Sequence, residues 1–323
     1  MTDGQNREID YLRISVTDRC NLRCVYCMPK DGITSVPHNE LLSYEEIERI
    51  CRCAAEIGIR KVKLTGGEPL TRRGLTELVR SIKALPKIEQ VTITSNGILL
   101  YEQLPGLVEA GLDAVNISLD TLDEKRFELI TRSKGLNLVL KAIDRAVELG
   151  LRVKINCLPE KEYNGDHLMQ IAELAHKRPI DVRFIELMPI GLGKTLTPVS
   201  NNEIRRQLEE SYGTLTPYEQ VRGNGPAVYA SPQGFQGKIG FISAVSDAFC
   251  SSCNRIRLTS TGFLKLCLHS DSGVNLRKPL RDGISDENLK KMLCESISKK
   301  PKSHHFGNEV PNEDRRIMSQ IGG

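Results

Sequence analysis

The run Tyr11-Leu-Arg-Ile-Ser-Val16, followed after three residues by Cys20-Asn-Leu-Arg-Cys-Val-Tyr-Cys27, decides how this chain is read. The first run alternates apolar and polar side chains, the pattern of a strand with one face against a core. The loop after it spaces three cysteines as Cys20-x3-Cys24-x2-Cys27. Thiolates are the ligands iron–sulfur clusters require. Three close cysteines hold three corners of a cubane and leave its fourth iron open to a substrate or cofactor, as catalytic metal sites keep one position open. The bland alternative is a zinc loop or a chance grouping of core thiols.

Outward from this stretch, short β-like runs recur at 11–16, 61–65, 91–95, 114–119, 152–157 and 182–187, most of them separated by helical patterns. Ser43-Tyr-Glu-Glu46 is a capping-box signature and precedes Ile47, Ile50, Ala54 and Ile57 on one helical face. A helix over roughly 137–149 carries Val139, Ile143 and Val147 and stops at Gly150. Six βα-like units predict an α/β fold, a parallel sheet curled into a partial (βα)6 TIM-like barrel. A full barrel needs two more units. After Gly191-Leu-Gly193 the texture changes to one helix near 200–210, glycine-rich β-like stretches to about 267, a helix near 286–298 and a polar tail. The expected division is a barrel domain over 1–190 and a smaller α+β domain over 191–323.

Strand parity says more than strand position, because successive side chains face opposite sides of a sheet. One parity is apolar: Leu12, Ile14, Val62, Leu64, Val91, Ile93, Val115, Ile117, Leu119, Val153 and Ile155. The other gives Arg13, Ser15, Lys61, Lys63, Thr65, Thr92, Thr94, Asn96, Asn116, Ser118, Asp120, Lys154 and Asn156. A barrel interior is normally filled with branched aliphatics. This lumen reads as polar and cationic, and unpaired buried cations are costly, so a large anionic ligand is expected there. On the sixth strand the alternation fails over Arg183, Ile185, Glu186 and Met188 and calls for a bulge.

Composition narrows the classes. The chain has 323 residues, ten cysteines and a formal net charge of +4, too slight for a nucleic-acid binder. The polar N-terminus and the lack of a long apolar run argue against secretion or a membrane span, which makes the cytoplasm the expected compartment. Ten thiols there are expected to be reduced, as ligands or core residues.

Two further motifs carry chemistry. Thr65-Gly66-Gly67-Glu68-Pro69 follows the second strand, where glycines let the backbone approach a ligand and where α/β sheets bind ligands. Cys250-x2-Cys253-x13-Cys267 is a second ligand set, with His269 two residues further on. A Cys3His zinc site stays open for it. Inside it, Asn254-Arg255-Ile256-Arg257 puts two arginines on one strand face, suited to phosphate or a base edge. Cys51, Cys53, Cys157 and Cys294 lack ligand spacing and read as small hydrophobes.

Cys20, Cys24, Tyr26 and Cys27 match the motif of the radical S-adenosylmethionine (SAM) superfamily, which the chain resembles. With Cys250, Cys253, Cys267, Arg255-Ile-Arg257 and the terminal Gly322-Gly323, it is similar to the GTP 3′,8-cyclase family of molybdenum cofactor biosynthesis over nearly its whole length. The resemblance implies a lyase with two [4Fe-4S] clusters. The first binds SAM and reduces it to methionine and a 5′-deoxyadenosyl radical. That radical takes hydrogen from C3′ of GTP, and the ribose radical attacks C8, giving (8S)-3′,8-cyclo-7,8-dihydroguanosine 5′-triphosphate. The second cluster, on Cys250, Cys253 and Cys267, holds the purine.

Gly66, Gly67, Glu68, Tyr26, Ser118 and Met188 would line the SAM pocket. Arg13, Lys63, Thr94, Lys154, Arg255, Ile256 and Arg257 would bind GTP, with Lys61, Asn156 and Arg183 as weaker additions. Relatives can carry arginine at position 63; lysine keeps the charge but not the fork. Arg13, Gly322 and Gly323 would assist the radical step. A flavodoxin or ferredoxin as electron donor and a cyclic pyranopterin monophosphate synthase as recipient of the product are implied partners, and a homodimer is compatible. A peptide-modifying radical SAM maturase and a zinc-stabilised binding protein are the alternatives.

Overall fold

A computed structural model describes residues 1–220, 222–304, 306 and 316–322. Six strands alternate with helices through the first part of the chain: β1 (Tyr11–Ser15), α1 (Tyr44–Glu56), β2 (Lys61–Thr65), α2 (Leu75–Lys83), β3 (Gln90–Ser95), α3 (Leu100–Glu109), β4 (Ala114–Ser118), α4 (Glu124–Thr131), α5 (Leu136–Glu148), β5 (Arg152–Cys157), α6 (Leu168–Lys177) and β6 (Asp181–Ile185). The six pair in parallel and in sequence order. After them come α7 (Asn201–Tyr212), β7 (Thr216–Tyr218), β8 (Val228–Ser231), β9 (Ile239–Ile242), β10 (Arg255–Leu258), β11 (Phe263–Lys265), β12 (Gly273–Asn275), α8 (Arg277–Arg281), α9 (Asp286–Ser298) and α10 (Met318–Ile321).

The later strands do not form a sheet of their own. β9 pairs in parallel with β6 at one edge and β10 in parallel with β1 at the other, so the order runs β12-β11-β10-β1-β2-β3-β4-β5-β6-β9-β8-β7. The six-stranded half-barrel thus gains three strands on each flank.

The pleat sorts the side chains as their polarity requires. Leu12, Ile14, Val62, Leu64, Val91, Ile93, Val115, Ile117, Val153 and Ile155 are buried in one continuous core with the inner faces of the helices. On β6, Val182 and Phe184 take the helix side, and Arg183 pairs across from Asn156 on the lumen side. The expected bulge is therefore unnecessary: the strand ends at Ile185, and the alternation holds up to that residue. Glu186, just beyond, turns its carboxylate to the backbone N–H groups of Val245 and Ser246 at 2.7 and 2.9 Å.

Local signals fix the helix starts. Ser43 Oγ accepts from the Glu46 N–H at 3.1 Å while the Glu46 carboxylate accepts from the Ser43 N–H at 2.7 Å, which completes the capping box of α1. Cys51, Cys53 and Cys157 are buried as core thiols, and Cys294 is half-buried. The tail departs from its polar composition: α10 forms within it, and Ile321 is 1% exposed. No helix among the described residues is long and apolar enough to cross a membrane.

Phe184 is fully buried and its ring centroid lies 6.2 Å from that of Phe241, whereas Ile185 is only half-buried on the other face. Phe184→Ala should lower the unfolding free energy by about 3–5 kcal/mol. Ile185→Ala should cost less than half as much in the same denaturant titration; equal losses would contradict this assignment of faces.

Candidate active site

One cavity of about 290 Å³ is lined by both cysteine triads, the first in the loop after the C-terminal end of β1 and the second beside the N-terminal ends of β1 and β10. Its first wall is the loop after β1. The Cys24 carbonyl accepts from the N–H groups of Cys27 and Met28 at 2.9 and 3.0 Å, a turn that brings Cys24 and Cys27 together. The Leu22 N–H and the Asn96 amide point at Cys20 Sγ, at 3.4 and 3.8 Å. Tyr26 donates to Asp120 at 2.7 Å. Burial, with the neighbouring thiols and Asp120, pushes the Cys24 thiol far up, and burial drives Cys27 to about 12. Such thiols ionise only against a strong competing cation.

Gly66 and Gly67 have a reason to be glycine that the sequence did not show. A Cβ on Gly67 would lie 2.3 Å from the Arg19 carbonyl oxygen, and one on Gly66 2.6 Å from that of Thr17. The glycines let the cysteine loop lie flat on the end of β2, fixed by hydrogen bonds from Gly67 to Thr17 and from Glu68 to Arg19, both 2.8 Å. The Glu68 carboxylate accepts from Ser95 Oγ at 3.0 Å and from the N–H groups of Leu70 and Asn96 at 3.1 and 2.7 Å. Burial outweighs these donors and raises its pKa to about 7. Ser118 and Met188 reach the same cavity.

The second triad stands on the flank that joins β1. Cys250 begins a short 3-10 turn, Cys253 precedes β10 and Cys267 follows β11. Burial works against the Cys253 thiolate, but Arg255 and Lys300 overcome it and bring the thiol to about 7. Among the described residues, no three Cys, His, Asp or Glu side chains converge on a single ion.

Arg13, Thr94, Asn156, Arg255 and Arg257 line the cavity between the triads. Arg13 and Arg257 share a register position, as do Arg13 and Lys63. Burial and the nearby Arg183, Arg13 and Lys154 depress Lys63 strongly, and burial with repulsion from Arg13 and Arg255 depresses Arg257. Thr94 Oγ1 and Ser319 Oγ are buried with no partner among the described residues, and both belong to the cavity's lining, so it holds unmet polar atoms as well as charge.

Other expected residues lie elsewhere. Lys63, Lys154 and Arg183 do not reach the cavity wall. Lys154 is not unpaired: it lies 3.5 Å from Asp181, donates to Tyr229 Oη at 3.0 Å and bonds to the Arg222 carbonyl. Arg183 donates to Asn156 Oδ1 at 2.5 Å. Lys61 is committed to Asp10 at 2.6 Å. Ile256 packs its side chain into the core, so only its backbone can face the site. Gly323 lies outside the described residues. Lys300, Arg7, Phe249, His304 and Phe306 were missed; all but Arg7 line the cavity, and none has a local sequence signal.

A parallel half-barrel with a three-thiol loop after its first strand defines a radical SAM protein, and the Radical SAM superfamily model matches residues 14–175. The Molybdenum Cofactor Synthesis C model matches residues 180–306. The fold is similar to that of Streptococcus suis SuiB bound to S-adenosylmethionine, with a TM-score of 0.61 at 15% identity over 93% of this chain and 77% of that one. Within the superfamily, the chain belongs to the GTP 3′,8-cyclase family. It is 50% identical over 323 residues to a GTP 3′,8-cyclase of Clostridium perfringens, covering 100% of both chains. It is 45% identical over 327 residues to one from Syntrophomonas wolfei, again over 100% of both. Molybdenum cofactor biosynthesis protein 1 of Drosophila melanogaster is 44% identical over 311 residues, 94% of this chain and 54% of that one.

The tail closes the site. Gly322 sits at φ +83°, where a Cβ would lie 2.9 Å from that of Ser15, and its carbonyl accepts from Arg257 at 2.6 Å. Gly322→Ala is strained on both counts. It should loosen 317–322, read as faster amide hydrogen exchange in that segment with the rest of the chain unchanged; protection equal to wild type would show that the tail does not depend on this fit.

Proposed function

We propose that the chain is a lyase that cyclises GTP between C3′ and C8 by SAM-dependent radical chemistry, the first step of molybdenum cofactor biosynthesis. The observation that carries this reading is one cavity shared by two thiol triads and the guanidinium groups of Arg13, Arg255 and Arg257.

The donor chemistry suits the groups required: soft thiols for iron, a carboxylate for the amine of SAM, and cations for a triphosphate. Cys20, Cys24 and Cys27 would hold the first cluster and Cys250, Cys253 and Cys267 a second. When bound, the reduced first cluster and SAM supply a one-electron cleavage that generates a hydrogen-abstracting species.

The chain's own residues do the rest. Glu68 takes the methionine amine, with Tyr26, Gly66, Gly67, Ser118 and Met188 completing that pocket. Arg13, Arg255 and Arg257 grip phosphate, Thr94 offers its unmet hydroxyl, and Lys63 and Lys154 extend the positive field beneath. For Lys154 this requires exchanging Asp181 and Tyr229 for the ligand. The tail from Ile317 excludes water from the reacting carbons, and the Gly322 carbonyl, which accepts from Arg257, aligns that guanidinium.

On this reading 1–190 handles SAM and 191–323 the substrate, although the two share one sheet. A flavodoxin- or ferredoxin-like donor supplies electrons in the cytoplasm, and the product passes to a cyclic pyranopterin monophosphate synthase.

Anaerobic incubation with SAM, reductant and single nucleotides should give 5′-deoxyadenosine and a cyclised product with GTP. Cys24→Ser should abolish SAM cleavage and keep iron at the second triad; Cys253→Ser should do the reverse. Iron at neither site in either variant would contradict two separate clusters.

Glu68 accepts an ammonium only when ionised, and burial holds it near neutrality. SAM affinity should therefore rise with pH up to about 7 and then level. Glu68→Gln should bind roughly tenfold or more weakly with no such rise, in titration calorimetry on the cluster-loaded protein. A rise that persists in the variant would assign the titration to another group.

A further inference from the structure

Two buried cations that strand parity did not mark, Lys300 and Arg7, frame the second triad. Lys300 is 4% exposed, and its ammonium donates to the Arg255 carbonyl at 2.9 Å and to the Leu266 carbonyl. Arg255 follows Cys253 by two residues, and Leu266 directly precedes Cys267. One side chain thus ties together the two strands that present those thiols.

Arg7 holds the remaining parts. It is buried and paired with Asp3 at 2.7 Å. Its guanidinium donates to the Cys250 carbonyl at 2.8 Å, to that of Pro301 at 2.7 Å and to that of Lys302 at 3.0 Å. It therefore fixes both the backbone at Cys250, the first residue of the triad, and the backbone that carries Lys300. Neutral donors would satisfy such carbonyls as well, and a buried ammonium is costly unless negative charge answers it. Lys300 shares the cavity lining with Cys250, Cys253 and Cys267, whose thiolates can answer it.

We propose that Lys300, held in place by Arg7, is a positioning residue for the second triad: its two hydrogen bonds set the separation of Cys253 and Cys267, and its charge balances the thiolates of a bound cluster. The inference rests on the reading that Cys250, Cys253 and Cys267 hold an iron–sulfur cluster.

The test compares wild type, Lys300→Met, Lys300→Arg and Arg7→Lys as full-length protein reconstituted anaerobically. Iron is counted, and redox titrations are followed by electron paramagnetic resonance, with the second-site signal taken as the one that survives Cys24→Ser. Lys300→Met removes charge at similar length. At a fixed applied potential its second-site ratio of reduced to oxidised cluster should fall about tenfold, as expected for one close charge at intermediate dielectric. The first-site signal should not move, and Lys300→Arg should recover most of the loss.

Arg7→Lys keeps charge but gives up the planar fork, and should release second-site iron to a chelator several-fold faster with first-site iron unaffected. If Lys300→Met does not accumulate as folded protein, this comparison decides instead. A second-site ratio in Lys300→Met equal to wild type, equal iron loss from Lys300→Met and Lys300→Arg, or a wild-type chelation rate in Arg7→Lys would each overturn the proposal. Wild type with iron only at the first site would instead sink the second-cluster reading itself.

Discussion

The parallel pairing of β10 with β1 is the contact on which the rest of the site depends. Tyr11 to Ile14 register against Arg255 to Leu258 on one side and against Lys61 to Leu64 on the other. Through β10 on β1 and β9 on β6, the chain after residue 190 is hydrogen-bonded directly to both edges of the half-barrel. Arg257, Arg13 and Lys63 become neighbours in one layer, and the loop after β1 and the segment before β10 carry their thiols to the two ends of one cavity. Two segments more than 200 residues apart in sequence thereby build one reaction chamber.

The same layer concentrates charge that the protein only partly neutralises. Asp181 answers Lys154 and Arg222 at the floor, while desolvation and mutual repulsion act in the same direction on Lys63 and Arg257. Buried like charges oppose folding, and the hydrophobic layer beneath must absorb that cost. An anionic ligand relieves it, so the lumen is better matched to the bound state than to the free one. The tail contributes a small part of this compensation itself, since the Gly322 carbonyl accepts from Arg257.

Much of this was legible in the sequence. Thiol spacing gave the first triad, and pleat parity sorted the β1–β5 residues between core and lumen, because alternation is a local property that one buried face enforces. Parity misled where it was carried past the end of a strand: Glu186 and Met188 follow β6 and owe nothing to its pleat. It also could not tell a cation with a partner from one without, and Lys61 and Lys154 proved to be paired. The Gly66-Gly67 turn was found by the room a ligand needs, and the structure adds a second reason for glycine there, the close approach of the cysteine loop.

By itself the sequence determined the alternation of strands and helices, the two triads and the cationic lumen parity, since each is written in neighbours a few residues apart. Only the tertiary structure decided that the C-terminal strands extend both edges of one sheet, that Lys300 and Arg7 stand behind the second triad, and that Gly322 reaches Ser15. Those contacts join residues hundreds of positions apart. Their partners are mostly backbone carbonyls, identical at every position and so invisible to any reading of side-chain pattern.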